Sequence, residues 1–368
     1  MLAWRADVAI FPPHSSPRAS VSPRRWLLVL LSFAATIGAS LWIVVASWPA
    51  EEARISLPVL VHLMLLGVTA GEIGSRSLKV MMSARAVGIA LRFWTAVRTV
   101  LAGDFGAAIT PARTGAEPAR FVVLAEAGVP AAGALVIMFL ELFLEAISLA
   151  VVAALLAVVF HESGRVVGAL VGLVGGYAVF VLGLGAAMFV LSVRHAKGPP
   201  PRWARRVGLN AFRWRRVQRA LRQLRGSIAG LREAHPGLLL VSLVASIFHV
   251  LFRLATLPVM VLMLAPDVPL ARLVLWPLAL FYGGVVAPAP GGGGFIEVAY
   301  RAALGETIPV EIFGASLIWW RFYTFYLYIV LGAFAAGRTA IRAIRPDERE
   351  IEEHHVRHGR TGEHHVVG

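Results

Sequence analysis

Cysteine is absent from the 368 residues, and only 15% of them carry a charge. The first absence excludes a disulfide framework, a thiolate metal site and a cysteine nucleophile. The second excludes an ordinary soluble domain, in which about 25% of residues are charged. Acidic residues are the scarcer sign: 21 Asp and Glu stand against 35 Lys and Arg, a net charge of +14. Walker A, HExxH, nucleophile-elbow and dinucleotide-binding patterns are also missing from the sequence. What is plentiful is apolar surface. Hydrophobic residues make up 58%, above the roughly 45–50% of soluble proteins, and this excludes a disordered chain. A chain so apolar and so basic reads as membrane-embedded, with basic loops facing the anionic cytoplasmic leaflet.

Residues 1–25, with Pro, Ser and Arg and no apolar periodicity, read as a cytoplasmic arm. Apolar runs follow at 26–48, from 57 to Arg76 and Lys79, at 131–160, 166–193, 237–264 and 308–337. A helix of about 20 residues crosses a hydrocarbon core of roughly 30 Å. Residues 84–102 mix Arg85, Arg92 and Arg98 with apolar residues, which predicts an amphipathic helix on the cytoplasmic surface. Residues 194–232 hold 12 Lys and Arg and no Asp or Glu, so the basic loop 194–236 is expected inside. Its Trp203, Phe212 and Trp214 suit a helix on the inner leaflet better than an RNA site. The tail 338–368 is basic, then His-rich, and reads as disordered. Its histidines lack the fixed geometry a metal site requires.

Orientation follows from these basic segments. With the N-terminus and 338–345 both inside, 103–130 and 270–308 must each return to the face they entered from. The predicted fold class is therefore an all-α polytopic membrane protein with six transmembrane helices and two opposed re-entrant helical hairpins. The repeats would be 26–160 and 161–337, the second inverted, an arrangement used by transporters. The alternative is that 270–287 and 295–308 are two short full spans. The expected location is the cell membrane, multi-pass, with both termini cytoplasmic.

Charges inside spans are the first candidate site. Glu141 and Glu145, His249 and Arg253, and Glu72 and Arg76 are each one turn apart, and Arg321 is mid-span. Such groups usually line a bundle interior and pair with one another. They could form a cavity in which Arg253 and Arg321 receive an anionic headgroup, or they could be ion pairs tying spans together. The hairpin tips are the second. Arg113, Glu117 and Arg120 surround the first, and Pro290, Gly291, Gly292, Gly294 and Glu297 the second. Broken helices present backbone N–H groups to anions, although glycine also permits tight turns. Arg113 and Arg120 are phosphate ligands on one reading and snorkel to the interface on the other. Gly168, Gly172 and Gly176 form a small-residue stripe, expected to pack within the bundle, with a homodimer contact as its second use.

The two tips, Thr110-Pro111-Ala112-Arg113-Thr114-Gly115-Ala116-Glu117-Pro118-Ala119-Arg120 and Ala287-Pro288-Ala289-Pro290-Gly291-Gly292-Gly293-Gly294-Phe295-Ile296-Glu297, with Arg321, carry a resemblance. Over roughly 27–337 the chain resembles the transmembrane region of lysylphosphatidylglycerol synthase and related flippase-like integral membrane proteins. The resemblance implies movement of a lipid between leaflets. Full-length members add a cytoplasmic aminoacyl-transferase domain. The 23 residues from 346 to 368 are too few for it, so no enzyme activity is expected. The functional expectation is a translocase for an anionic phospholipid or a lipid-linked phosphate, with anionic membrane lipids as partners. No cofactor, no metal and no nucleic acid is expected. The alternative is a membrane enzyme or accessory subunit of glycolipid or phospholipid modification, with Glu117 and Arg113 as its reactive pair.

Overall fold

The computed structural model describes Gly38 and residues 56–110, 113–160, 164–194, 199, 214–215, 218, 235–283 and 294–344. The arm 1–25, the first apolar run, most of the basic loop, Pro290 to Gly292 and the tail beyond 344 lie outside the described residues. Among the described residues there is helix and no strand. The elements are α1 (Val59–Ala86), α2 (Phe93–Ile109), α3 (Ala116–Glu126), α4 (Ala131–Phe160), α5 (Gly164–Arg194), α6 (Pro236–Leu262), α7 (Leu270–Gly283), α8 (Phe295–Leu304), α9 (Val310–Arg321), a π-helical turn Phe322–Tyr326 and α10 (Leu327–Ile344).

Among the described residues, four helical runs are long and apolar enough to cross a membrane: α1, α4, α6 and Val310–Ala335, which passes from α9 through the π turn into α10. The expected span 166–193 falls on α5, whose apolar stretch is the shorter Val174–Ala187. The segment 84–102 is not one amphipathic helix. Instead α1 continues to Ala86, and α2 begins at Phe93 with Ala96, Val100, Leu101 and Ala102 buried. The break has a local cause. Gly88 takes φ +78°, and the Ile89 N–H turns back to the Ala84 carbonyl at 2.9 Å, a left-handed helix ending that glycine adopts without strain. α3 ends the same way at Gly128, with Val129 bonded to Leu124.

α1 and α6 run antiparallel along each other. Ser83 meets Ser242 at 2.8 Å near one end, and a Cβ on Gly71 would lie 2.8 Å from the Phe252 ring near the middle. Ser242 gives its hydroxyl proton to the Lys79 carbonyl at 3.0 Å, so Ser83 is the donor between the two serines. The two ends of α1 enter different cores. Val61 and Leu65 pack with Leu257 and Met260 of α6, Tyr300 of α8 and Trp320 of α9. Val80 and Ala84 pack with Val100 of α2, Leu124 of α3 and Ile137 of α4. The short helices α2–α3 and α8–α9 are thus held at opposite ends of α1. α10 lies against α2, where a Cβ on Gly332 would come within 2.5 Å of the Leu101 carbonyl. α7 joins α4 and α6 through Leu275, Leu278, Leu149, Val152 and Leu254.

The stripe Gly168, Gly172 and Gly176 does not pack within the bundle. All three are exposed, and a Cβ at any of them would meet no atom within 4 Å. The glycine that α5 uses is Gly185, against Phe139 of α4.

Candidate functional site

Between the two end cores lies a buried polar layer. Glu72 stands at the middle of α1, 3% exposed, and is its hub. Its Oε2 accepts a hydrogen bond from the Tyr328 hydroxyl of α10 at 2.7 Å. Its Oε1 faces Nη1 of Arg76 at 3.9 Å, Nη1 of Arg253 at 3.7 Å and Nε2 of His249 at 3.9 Å. Arg76 makes its close contacts elsewhere: both terminal nitrogens donate to Asp104 of α2, at 2.7 and 2.9 Å. Such a two-pronged arginine–carboxylate pair is the strongest ordinary ion pair.

Two further cations of the layer are paired. Lys79 reaches Glu145 at 3.4 Å, and Arg120 reaches both Glu141 at 3.4 Å and Glu117 at 3.3 Å. Arg120 lies across α2 because residue 103 is glycine. A Cβ there would come within 2.5 Å of the arginine Nε. The α2–α3 turn is stitched by Thr110, whose hydroxyl donates to the Gly106 carbonyl and accepts the Gly115 N–H, both at 2.7 Å. Gly106 and Gly115 permit this closeness, since a Cβ on either would strike the other's carbonyl.

Arg113 sits on that turn with φ +58°, a left-handed conformation without glycine, which costs about 1–2 kcal/mol. Its guanidinium lies within electrostatic reach of Arg76, Asp104, Arg120 and Arg253. Among the described residues it is the one cation of the layer with no carboxylate oxygen within 4.0 Å.

A second polar site lies at the start of α8. Gly294 takes φ +80°, and its N–H donates to Oε2 of Glu297 at 2.8 Å. Oε1 of Glu297 meets Nε of Arg321 at 2.9 Å. The Arg321 guanidinium also lies 4.5 Å from the centroid of the Phe325 ring. The two sites are bridged by aromatics, because Arg253 stacks on Phe281 at 4.6 Å and Phe281 packs on Trp320, the neighbour of Arg321.

The expected site residues therefore divide. Arg113, Glu117, Arg120, Glu141, Glu145, His249 and Arg253 share the first site, and Gly294, Glu297 and Arg321 form the second. Arg253 and Arg321 do not converge on one point: each faces its own carboxylate, Glu72 or Glu297. Arg120 does not snorkel; its side chain is 13% exposed and turned into the layer. Glu117 pairs with Arg120, not with Arg113. Three contributors were missed. Lys79 follows Glu72 by seven residues and so shares its helix face, a readable signal. Asp104 and Tyr328 have no charged neighbour one turn away, and their partners are distant in sequence.

An all-helical bundle with four apolar spans and a charged interior defines a membrane-embedded protein, and the sequence comparison agrees. Residues 20–332 match the family model described as the lysylphosphatidylglycerol synthase TM region, and the chain belongs to that family. No curated protein matches it.

Proposed function

We propose that the protein is a lipid translocase that passes an anionic phospholipid or lipid-linked phosphate headgroup between leaflets through this polar layer. The observation that carries the reading is Arg113. It is a cation on a strained turn, unmatched by a described carboxylate, in a layer where every other described cation has one. Charge buried in a membrane interior costs several kcal/mol, so an unmatched guanidinium there favours a phosphate as its partner. Transport, not chemistry, is its activity on this reading, and anionic lipids are its partners. Alternation would come from two inverted repeats, 26–160 with α1–α4 and 161–337 with α5–α10, in which 103–130 and 270–308 (α7–α8) are re-entrant hairpins entering from opposite faces. The placement of α2–α3 and α8 at opposite ends of α1, and of α10 beside α2, supports this. The protein would lie in the cell membrane with both termini inside.

The test is exchange of fluorescent phosphatidylglycerol in reconstituted vesicles, read by quenching of the outer leaflet. Wild type should empty the inner-leaflet signal, and Arg113→Ala should slow exchange at least about tenfold, the loss expected for one charge-assisted hydrogen bond of 1.5–3 kcal/mol. Arg113→Ala strands no described carboxylate, so its melting temperature should match wild type. Exchange no faster than in protein-free vesicles would sink the proposal.

Topology is checked separately with single cysteines, for which the chain has no native background. Ser56→Cys should react with an impermeant thiol reagent from outside, and Thr339→Cys only after permeabilisation. Labelling of position 339 from outside would mean that 270–308 crosses once without returning, and the inverted repeat falls.

A further inference from the structure

His249 is 1% exposed, and neither ring nitrogen has a hydrogen-bond partner among the described residues. Leaving a buried polar group unsatisfied costs about 1–3 kcal/mol, and an apolar side chain would fill the space without that cost. The ring is nonetheless aimed at a carboxylate. Its Nε2 faces Oε1 of Glu72, the same oxygen approached by Arg253. Arg76 also faces that oxygen but is held in the close two-pronged pair with Asp104. The remaining claimants on Oε1 are therefore His249 and Arg253.

The surroundings of the imidazole are charged on every side. α1 presents Glu72, Arg76 and Lys79, α4 presents Glu145, and α6 itself presents Arg253. α10 adds Tyr328 at the other oxygen of Glu72. α7 contributes Phe281, stacked on Arg253. Glu145 is the more exposed member of its pair, its side chain 20% exposed against 3% for Lys79.

We infer that His249 is a proton-binding site linked to anion binding. When an anionic phosphate headgroup engages Arg253, His249 takes one proton from water, and the imidazolium replaces the guanidinium at Oε1 of Glu72. One positive and one negative charge then enter together, and the net charge of the buried layer is unchanged. That balance is the physical reason for the linkage, since an unbalanced charge at this depth is costly. The inference rests on the translocation reading only in taking a phosphate headgroup as the anion.

The experiment measures binding of dihexanoyl-phosphatidylglycerol to the detergent-solubilised full chain by calorimetry, in buffers of different ionisation enthalpy. The phosphodiester of this probe stays ionised between about pH 5.5 and 8.5, the range in which a histidine titrates, so a pH dependence belongs to the protein. Uptake of one proton per lipid should tighten binding about tenfold for each pH unit lowered, by reciprocity of the two binding events. His249→Gln should bind with no proton uptake and a flat pH profile. A merely structural histidine would leave both unchanged. Should that variant fail to fold, Glu72→Gln is the second test and should flatten the profile too. The wild-type measurement also stands alone: binding without proton uptake overturns the inference, as does a wild-type slope in His249→Gln. Linked uptake in a protein that exchanges no lipid would keep the inference and remove translocation. Exchange without uptake would do the reverse, and absence of any binding would remove both.

Discussion

Replacing Arg76 by leucine is expected to destabilise the protein by about 3–5 kcal/mol, the cost of breaking a buried ion pair from one side. The Arg76 and Asp104 side chains are 7% and 10% exposed, so the aspartate left behind cannot recover its lost partner from bulk water. The pair also joins α1 to α2, and its loss frees the arm on which the Arg113 turn is built. A second substitution separates charge from contact. Arg76→Leu with Asp104→Leu removes both charges and should recover much of the lost stability, because well-packed apolar replacements of buried pairs are often neutral or better. Thermal unfolding in detergent reads both. If the single variant melts within a degree of wild type, Asp104 is hydrated and the layer is an open cavity, not a closed network.

Glu297 carries the second large effect, because one side chain does two things. It caps α8 through the Gly294 N–H and holds Arg321 through its other oxygen. Removal of a cap costs about 0.5–2 kcal/mol, and stranding a buried guanidinium adds to it. Glu297→Ala should therefore lower stability by about 3–5 kcal/mol. Glu297→Gln keeps an oxygen for the cap and loses only the counter-charge, so it should fall between wild type and alanine. Equal melting temperatures for the two variants would mean that the cap contributes nothing and that charge alone acts.

The long elements were legible because length and hydropathy determine them: the run 131–160 is α4 residue for residue, and 237–264 differs from α6 by one residue at its start and two at its end. The pairs Glu141/Glu145 and His249/Arg253 were legible as faces, because one helical turn is a local rule. Their partners were not. Glu141 and Glu145 share a face yet bind different cations, Arg120 from α3 and Lys79 from α1, and nothing in helix periodicity says which helix crosses where. Residues 84–102 misled for a related reason. Arginines at 85, 92 and 98 suggest a surface helix until Gly88 divides them between two elements. Asp104 was invisible because a lone acid in an apolar stretch has no local signature, although in the fold it holds the closest ion pair of the layer.

The π-helical turn at Phe322–Tyr326 has a consequence for how one helix serves two sites. Successive residues of an α-helix are rotated by about 100°, so positions seven apart point almost the same way. Arg321 and Tyr328 are seven apart, yet one meets Glu297 and the other Glu72. The wide turn between them accommodates roughly one extra residue and so turns the later segment out of phase by about one step of 100°. Were 322–326 α-helical with the same number of residues, Arg321 and Tyr328 would point almost the same way. The same rod would then address one half of the molecule, and a single peptide unit is what divides its attention.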